Sequence, residues 1–111
     1  MQIISYADFE KIEIRWGTII KVEIFESAKK AVFKIWVDFG SCGILQTSSQ
    51  VTHYYSVEVL LNKKVLGCIN LGIKNIAGFK SEFLLLGCCD DNDNVVLPEF
   101  LIHIPNGVKL A

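Results

Sequence analysis

The stretch "IEIRWGTIIKVEI", residues 12–24, decides the fold. Ile12, Ile14, Trp16, Ile20, Val22 and Ile24 share one parity, while Glu13, Arg15, Lys21 and Glu23 share the other. Alternation of period two over this length predicts a long strand with one wet face. Gly17 interrupts the pattern, and glycine inside a strand marks a bulge or a sharp bend. A long bent first strand is what a small barrel needs, because one strand then serves both of its sides.

Downstream, "VFKIWVDF" (32–39) alternates again. Phe33, Ile35, Val37 and Phe39 form one face, so Lys34 and Trp36 point outward together. "GSCG" turns the chain and "ILQTSS" (44–49) reads as a third strand. Gln50 to Leu61 reads as a helix or helical turns, with Ser48 or Ser49 as its cap. "KVLGCIN" (64–70) is a fourth strand and "EFLLLGCC" (82–89) a fifth. "DDNDN" is a turn by composition; it lacks the glycine and final glutamate of a calcium loop. "VVLPEFLIHIPNGVKL" (95–110) supplies one or two short extended segments, which Pro98 and Pro105 confine to edges or turns. Upstream, "SYAD" (5–8) fits a capping box, with Asp8 bonding back to Ser5 and a short helix over Tyr6 to Lys11.

Strand, strand, strand, helix, strand, strand is the layout of an OB-fold. The expectation is an all-β, five-stranded barrel with short helices and N- and C-terminal extensions, forming one domain over residues 1–111. In that fold the loops after the first and fourth strands open at one end. Here they are "ESAKK" (26–30) and "LGIKNIAGFKS" (71–81), so Lys29, Lys30, Lys74 and Lys80 would share a rim. Gly78 would permit a sharp turn there.

Eleven Lys/Arg against twelve Asp/Glu give a net charge of −1, which argues against nucleic-acid binding by bulk electrostatics. The distribution is less even. Through Cys89 there are ten basic residues against eight acidic ones, and beyond it one against four. Cys42, Cys68, Cys88 and Cys89 form no C-x-x-C pair, and with His53 and His103 they match no zinc spacing, so reduced and mostly buried thiols are expected, without metal or cofactor. Asp8 precedes any long apolar stretch, so no signal peptide is read. No run reaches the length of a membrane span. A cytoplasmic protein without membrane insertion is the expectation. Ser48 and Ser49 lack a G-x-S-x-G setting, and His53 has no orienting carboxylate, so no enzyme is read.

"FEKIEIRWGTI", "LQTSSQ", "NKKVLGCINL", "IAGFKSEFLLLG" and "IPNG" occur in order from Asp8 to about Val108. Together they resemble the tRNA-binding-domain family, above all its small stand-alone members of the CsaA type, described as secretion-related chaperones. The same domain is an appendage of methionyl-tRNA synthetases. The resemblance implies an OB-fold, a homodimer and structure-selective tRNA binding; for the CsaA type it also implies binding of unfolded or precursor polypeptides. Carried over by position, it implies RNA contacts at Arg15, Lys34, Ser48, Ser49, Gln50, Lys80 and Ser81, to which the rim reading adds Lys74. Glu82 is expected to hold Lys80 or Arg15 in place. The chain departs from the family at "GIKN" (72–75), where the family often has proline and paired basic residues, and at Trp16 and Trp36. Trp36 with Lys34 on an outward face could stack a base, contact a second protomer or hold an apolar peptide side chain. Phe79 is a further candidate for peptide contact. His103 reads as an edge or interface residue. The apolar content of "VVLPEFLIHI" exceeds what a closed barrel needs and favours a symmetric dimer.

Overall fold

The computed structural model describes residues 1–26 and 31–110; Lys29 and Lys30, expected on the rim, lie outside the described residues. A short helix, α1 (Tyr6–Glu10), precedes strand β1 (Ile14–Ile24). Strand β2 (Phe33–Asp38), a 3-10 turn (Gly40–Cys42) and strand β3 (Ile44–Ser49) follow. Helix α2 (Val57–Leu60) leads into β4 (Lys64–Cys68), a hairpin of β5 (Lys74–Ile76) and β6 (Phe79–Ser81), then β7 (Leu84–Leu85). The last pair is β8 (Cys88–Cys89) with β9 (Val95–Val96).

The main sheet has the order β3-β2-β1-β4-β7, antiparallel throughout. β1 serves both sides as expected. Its first half, Ile14 to Thr18, pairs with β4, and its second half, Thr18 to Ile24, pairs with β2. The chain between β6 and β7 returns to β3 through Glu82 N–H donating to the Gln46 carbonyl at 2.8 Å, which brings the sheet close to a closed five-stranded barrel. The expected fold class is what the chain adopts.

The bend lies elsewhere than Gly17. The β1–β2 register slips between Ile19 and Lys21, leaving Ile20 as the extra residue of a bulge. Inward parity therefore switches within the strand. Ile19 is fully buried and Ile20 is 42 % exposed, opposite to the single parity read from the sequence. Gly17 instead makes room. A Cβ there would lie 2.4 Å from Val37 Cγ1 and 2.8 Å from Phe39 Cδ1. Gly67, on β4, accommodates the same ring, with Phe39 Cζ 2.6 Å and Phe83 Cδ2 2.8 Å from an added Cβ. The two glycines let the Phe39–Phe83 edge-to-face pair, 5.0 Å between centroids, fill the barrel.

Other expectations need correction. The segment after β3 is turns followed by the single helical turn α2, capped by Ser56, whose hydroxyl accepts from Val59 N–H; Ser48 and Ser49 belong to β3. Ser5 does cap α1 through Asp8 N–H, but the Asp8 carboxylate pairs with Lys11. "EFLLLGCC" is two short strands separated by Leu86 and Gly87, and a side chain at Gly87 would meet the Val96 carbonyl at 2.8 Å. The "loop" containing "IAGFKS" is a hairpin. Ala77 and Gly78 both take positive φ, 50° and 82°, the geometry of a two-residue type I′ turn. Of the cysteines, all free, Cys68 is buried and Cys42 half-buried, but Cys88 and Cys89 are exposed.

Candidate nucleic-acid interface

Alternation on β2 buries Phe33, Ile35 and Val37, so Lys34 and Trp36 face out as expected. Register builds two rows across the outer face. One runs Lys21, Trp36, Gln46 and the other Glu23, Lys34, Ser48. The β5–β6 hairpin lies against this face and is fastened there by specific bonds. Gln46 is the hub. Its Nε2 donates to the Lys80 carbonyl at 2.9 Å, its Oε1 accepts from Trp36 Nε1 at 3.1 Å, and its N–H donates to Glu82 Oε1 at 3.0 Å. Ser48 N–H donates to Ser81 Oγ at 3.2 Å, and the two hydroxyls are 3.1 Å apart.

Aromatic packing adds to the attachment. The Phe79 ring sits edge-on to Phe25 (5.6 Å) and Trp36 (5.9 Å). Lys34 Nζ lies 4.6 Å from the Phe25 ring centre and 5.0 Å from that of Phe79, and Lys21 Nζ lies 4.6 Å from Trp36. Such cation–π contacts leave the charge of an ammonium intact. Trp36 and Phe79 are thus half-buried partners of one another.

The described basic residues divide into two groups, apart from Lys64 on β4, whose ammonium donates to the Asn106 amide oxygen at 2.7 Å. Lys11, Arg15, Lys21, Lys63 and Lys109 each pair with a carboxylate. Lys34, Lys74 and Lys80 have no carboxylate partner among the described residues, and all three belong to the hairpin or the strand beneath it. Lys80 and Lys74 are exposed, and pairing across the hairpin sets them on opposite faces of it. Lys74 borders a groove of about 310 Å³ with Ser48, Ser81, Leu71, Ile76 and Phe83.

Arg15 is separate from this group. Its guanidinium donates to Glu13 Oε1 at 2.6 Å and to the Gly107 carbonyl at 3.0 Å. That hydrogen bond, followed by the one from Lys109, holds the Glu13 carboxyl below its ordinary value, and Glu13 in turn raises Arg15. Ser81 is only 8 % exposed and faces Ser48. Glu82 holds neither Lys80 nor Arg15 directly but accepts from the backbone of Gln46. Ser49 is half-buried at the end of β3 with exposed Gln50 after it. His103 is exposed in the segment between β9 and the tail, beside fully exposed Leu101 and exposed Ile102. Gln46 and Phe25 were not singled out from the sequence. The alternation of "ILQTSS" already put Gln46 on the Trp36 face, whereas Phe25 follows the bulged strand, where parity is unreliable.

Residues 14–109 match the family model described as "Putative tRNA binding domain". The methionine–tRNA ligase of Pyrococcus horikoshii is 35 % identical over 97 residues, which are 87 % of this chain and 13 % of that protein. The chain thus spans about an eighth of the ligases it matches. The crystal structure of chaperone CsaA from Bacillus anthracis superposes with a TM-score of 0.93 and 34 % identity, covering 99 % of this chain and 100 % of that one. The CsaA chaperone protein of Picrophilus torridus gives 0.90 and 38 %, covering 98 % and 100 %. The chain belongs to the tRNA-binding-domain family, and it is similar along its length to CsaA.

Proposed function

We propose that this member of the tRNA-binding-domain family binds tRNA through the cationic rim of its β2–β3 face and catalyses no reaction. The observation that carries this reading is the division of the basic residues: Lys34, Lys74 and Lys80 cluster around one hairpin without a carboxylate among the described residues. Phosphates are the ligand class that uses such unneutralised cations, and they fix position on RNA without reading sequence. Lys34, Lys74 and Lys80 are the phosphate contacts. Ser48, Ser49 and Gln50 border them, while Ser81 and Arg15 act by holding structure. The matched region of the methionine–tRNA ligases supports the same partner.

The protein acts as a homodimer in the cytoplasm in this reading. Exposed Leu101, Ile102 and His103 supply the interface, and pairing doubles the cationic rim of a chain with charge −1. No helix among the described residues is long and apolar enough to cross a membrane. A second reading, a chaperone for unfolded or precursor polypeptides, is favoured by Leu71, Ile73 and Leu84, which are 65, 66 and 52 % exposed beside the hairpin.

A tRNA titration at two salt concentrations, with a sizing run alongside, tests the proposal. Binding at micromolar or better from a dimer, weakening with a log–log salt slope of about −0.7 to −0.9 per neutralised phosphate, is expected. Absence of binding at low salt overturns it.

A further inference from the structure

We infer that the groove between β3 and the chain around the β5–β6 hairpin is a pocket for one unstacked nucleotide, so that the protein takes a single-stranded part of its RNA as well as backbone. The inference rests on the proposed tRNA binding and gives that site its ligand subsite. The groove, about 310 Å³, lies at the small end of the range of about 300–1,000 Å³ for ligand pockets. Its walls are of two kinds. Leu71, Ile76 and Phe83 present apolar surface to the face of a base. The polar side is donor-rich. Lys74 brings an ammonium, and no carboxylate lines the groove.

The two serines add a donor. Ser48 and Ser81 carry two hydroxyl hydrogens but share a single hydroxyl–hydroxyl contact of 3.1 Å, and Ser81 Oγ already accepts from Ser48 N–H. Whichever hydroxyl donates to the other, one O–H remains without an acceptor among the described residues. An extended polypeptide brings donors and acceptors in equal number. A nucleotide brings phosphate, sugar and carbonyl oxygens in excess, and its negative charge complements Lys74. Chemistry therefore favours the nucleotide over the peptide here.

Methyl NMR of the full chain during titration with AMP, a single-stranded tetranucleotide and an RNA duplex tests the assignment. AMP and the tetranucleotide are expected to shift the Leu71 and Ile76 methyl signals, and the duplex to leave them in place. Lys74→Gln, at an exposed position, should weaken AMP at least threefold, while Lys11→Gln on α1 leaves it unchanged. If tRNA binds and these methyls stay fixed with AMP and tetranucleotide, the pocket is wrong and backbone binding stands. AMP shifts without tRNA binding would uphold the pocket and sink the tRNA reading. Shifts caused by an uncharged apolar peptide, with none from AMP, would overturn the pocket in favour of polypeptide.

Discussion

β1 divides the molecule into two flanks that handle most of their charge differently, although Lys21 and Glu23 pair at 3.3 Å on the second as well. On the flank where Ile14 to Thr18 meets β4 and the C-terminal tail, most polar groups answer one another, with buried Arg15 Nε and Trp16 Nε1 the exceptions. Arg15 bonds Glu13 and Gly107, Lys109 Nζ lies 2.9 Å from Glu13 Oε2, and the Asn106 side chain accepts from Thr18 and Lys64, both at 2.7 Å. The tail is stitched to the strand by Gly107 N–H to Trp16, Trp16 N–H to Val108 and Leu110 N–H to Ile14. On the flank where Lys21 to Ile24 meets β2, hydrogen bonds fasten the hairpin but leave its lysines and Lys34 without carboxylates among the described residues. A cation that closes onto a carboxylate and a carbonyl holds the fold; one stacked on rings or left in solvent keeps its charge for a ligand.

The largest effect should strike both flanks together. Gly67→Ala would force a methyl into the space of the Phe39 and Phe83 rings, which cannot swing aside in a filled barrel. We expect a loss of about 1–3 kcal/mol, seen as a lower urea midpoint with unchanged m-value. An unaffected midpoint would mean that the rings have room to move and that the glycine is dispensable.

The next pair of variants pits one flank against the other. Lys80→Ala should weaken tRNA binding at least fivefold and leave thermal stability almost unchanged. Arg15→Leu should do the reverse, costing about 1 kcal/mol of stability, discounted for the solvent access of its ion pair, with little change in affinity. If Arg15→Leu weakens RNA binding as much as Lys80→Ala does, the division between the flanks fails. Unchanged affinity in Lys80→Ala would remove the rim assignment itself.

How much of this was legible follows from what a sequence can carry. On β2, strict alternation places Phe33, Ile35, Val37 and Phe39 inside and Lys34, Trp36 and Asp38 outside, as the structure has them; Val32, ahead of the strand and on the outward parity, is buried instead. On β1, a one-residue bulge flips parity halfway, and with Ile19 and Ile20 both apolar nothing in the composition says which goes in. The loop read at "IAGFKS" was a hairpin because Ala77 tolerates a positive φ that the sequence does not announce. Ser56 before "VEVL" was a visible cap signal, overshadowed by the paired serines at the end of β3. At the site, residue type identified the polar cluster but not its division of labour. Arg15, Ser81 and Glu82 look like ligand residues until their partners are seen. Whether a polar side chain has already found a partner is a tertiary property, and local spacing cannot reveal it.

The smallest expected effect tests the closed flank through its acid. Arg15 and then Lys109 depress the Glu13 carboxyl from its ordinary value of 4.5. A carboxyl with a lowered folded-state pKa contributes stability that is full above the unfolded value and disappears as pH falls through the folded one. The contribution from Glu13 should therefore be present at neutral pH and lost on acidification below about 4.5. Glu13→Gln should remove that part of the acid sensitivity and slightly lower the midpoint at pH 7, while the tRNA affinity and its salt slope stay as they were. Two series of denaturation curves, from pH 7 to pH 3, would read it. Identical acid profiles for variant and parent would show that the Arg15–Glu13–Lys109 cluster is too solvated to matter, leaving the tail to be held by its backbone bonds and by Asn106. A changed salt slope would be the more damaging result, because it would put the closed flank in contact with RNA.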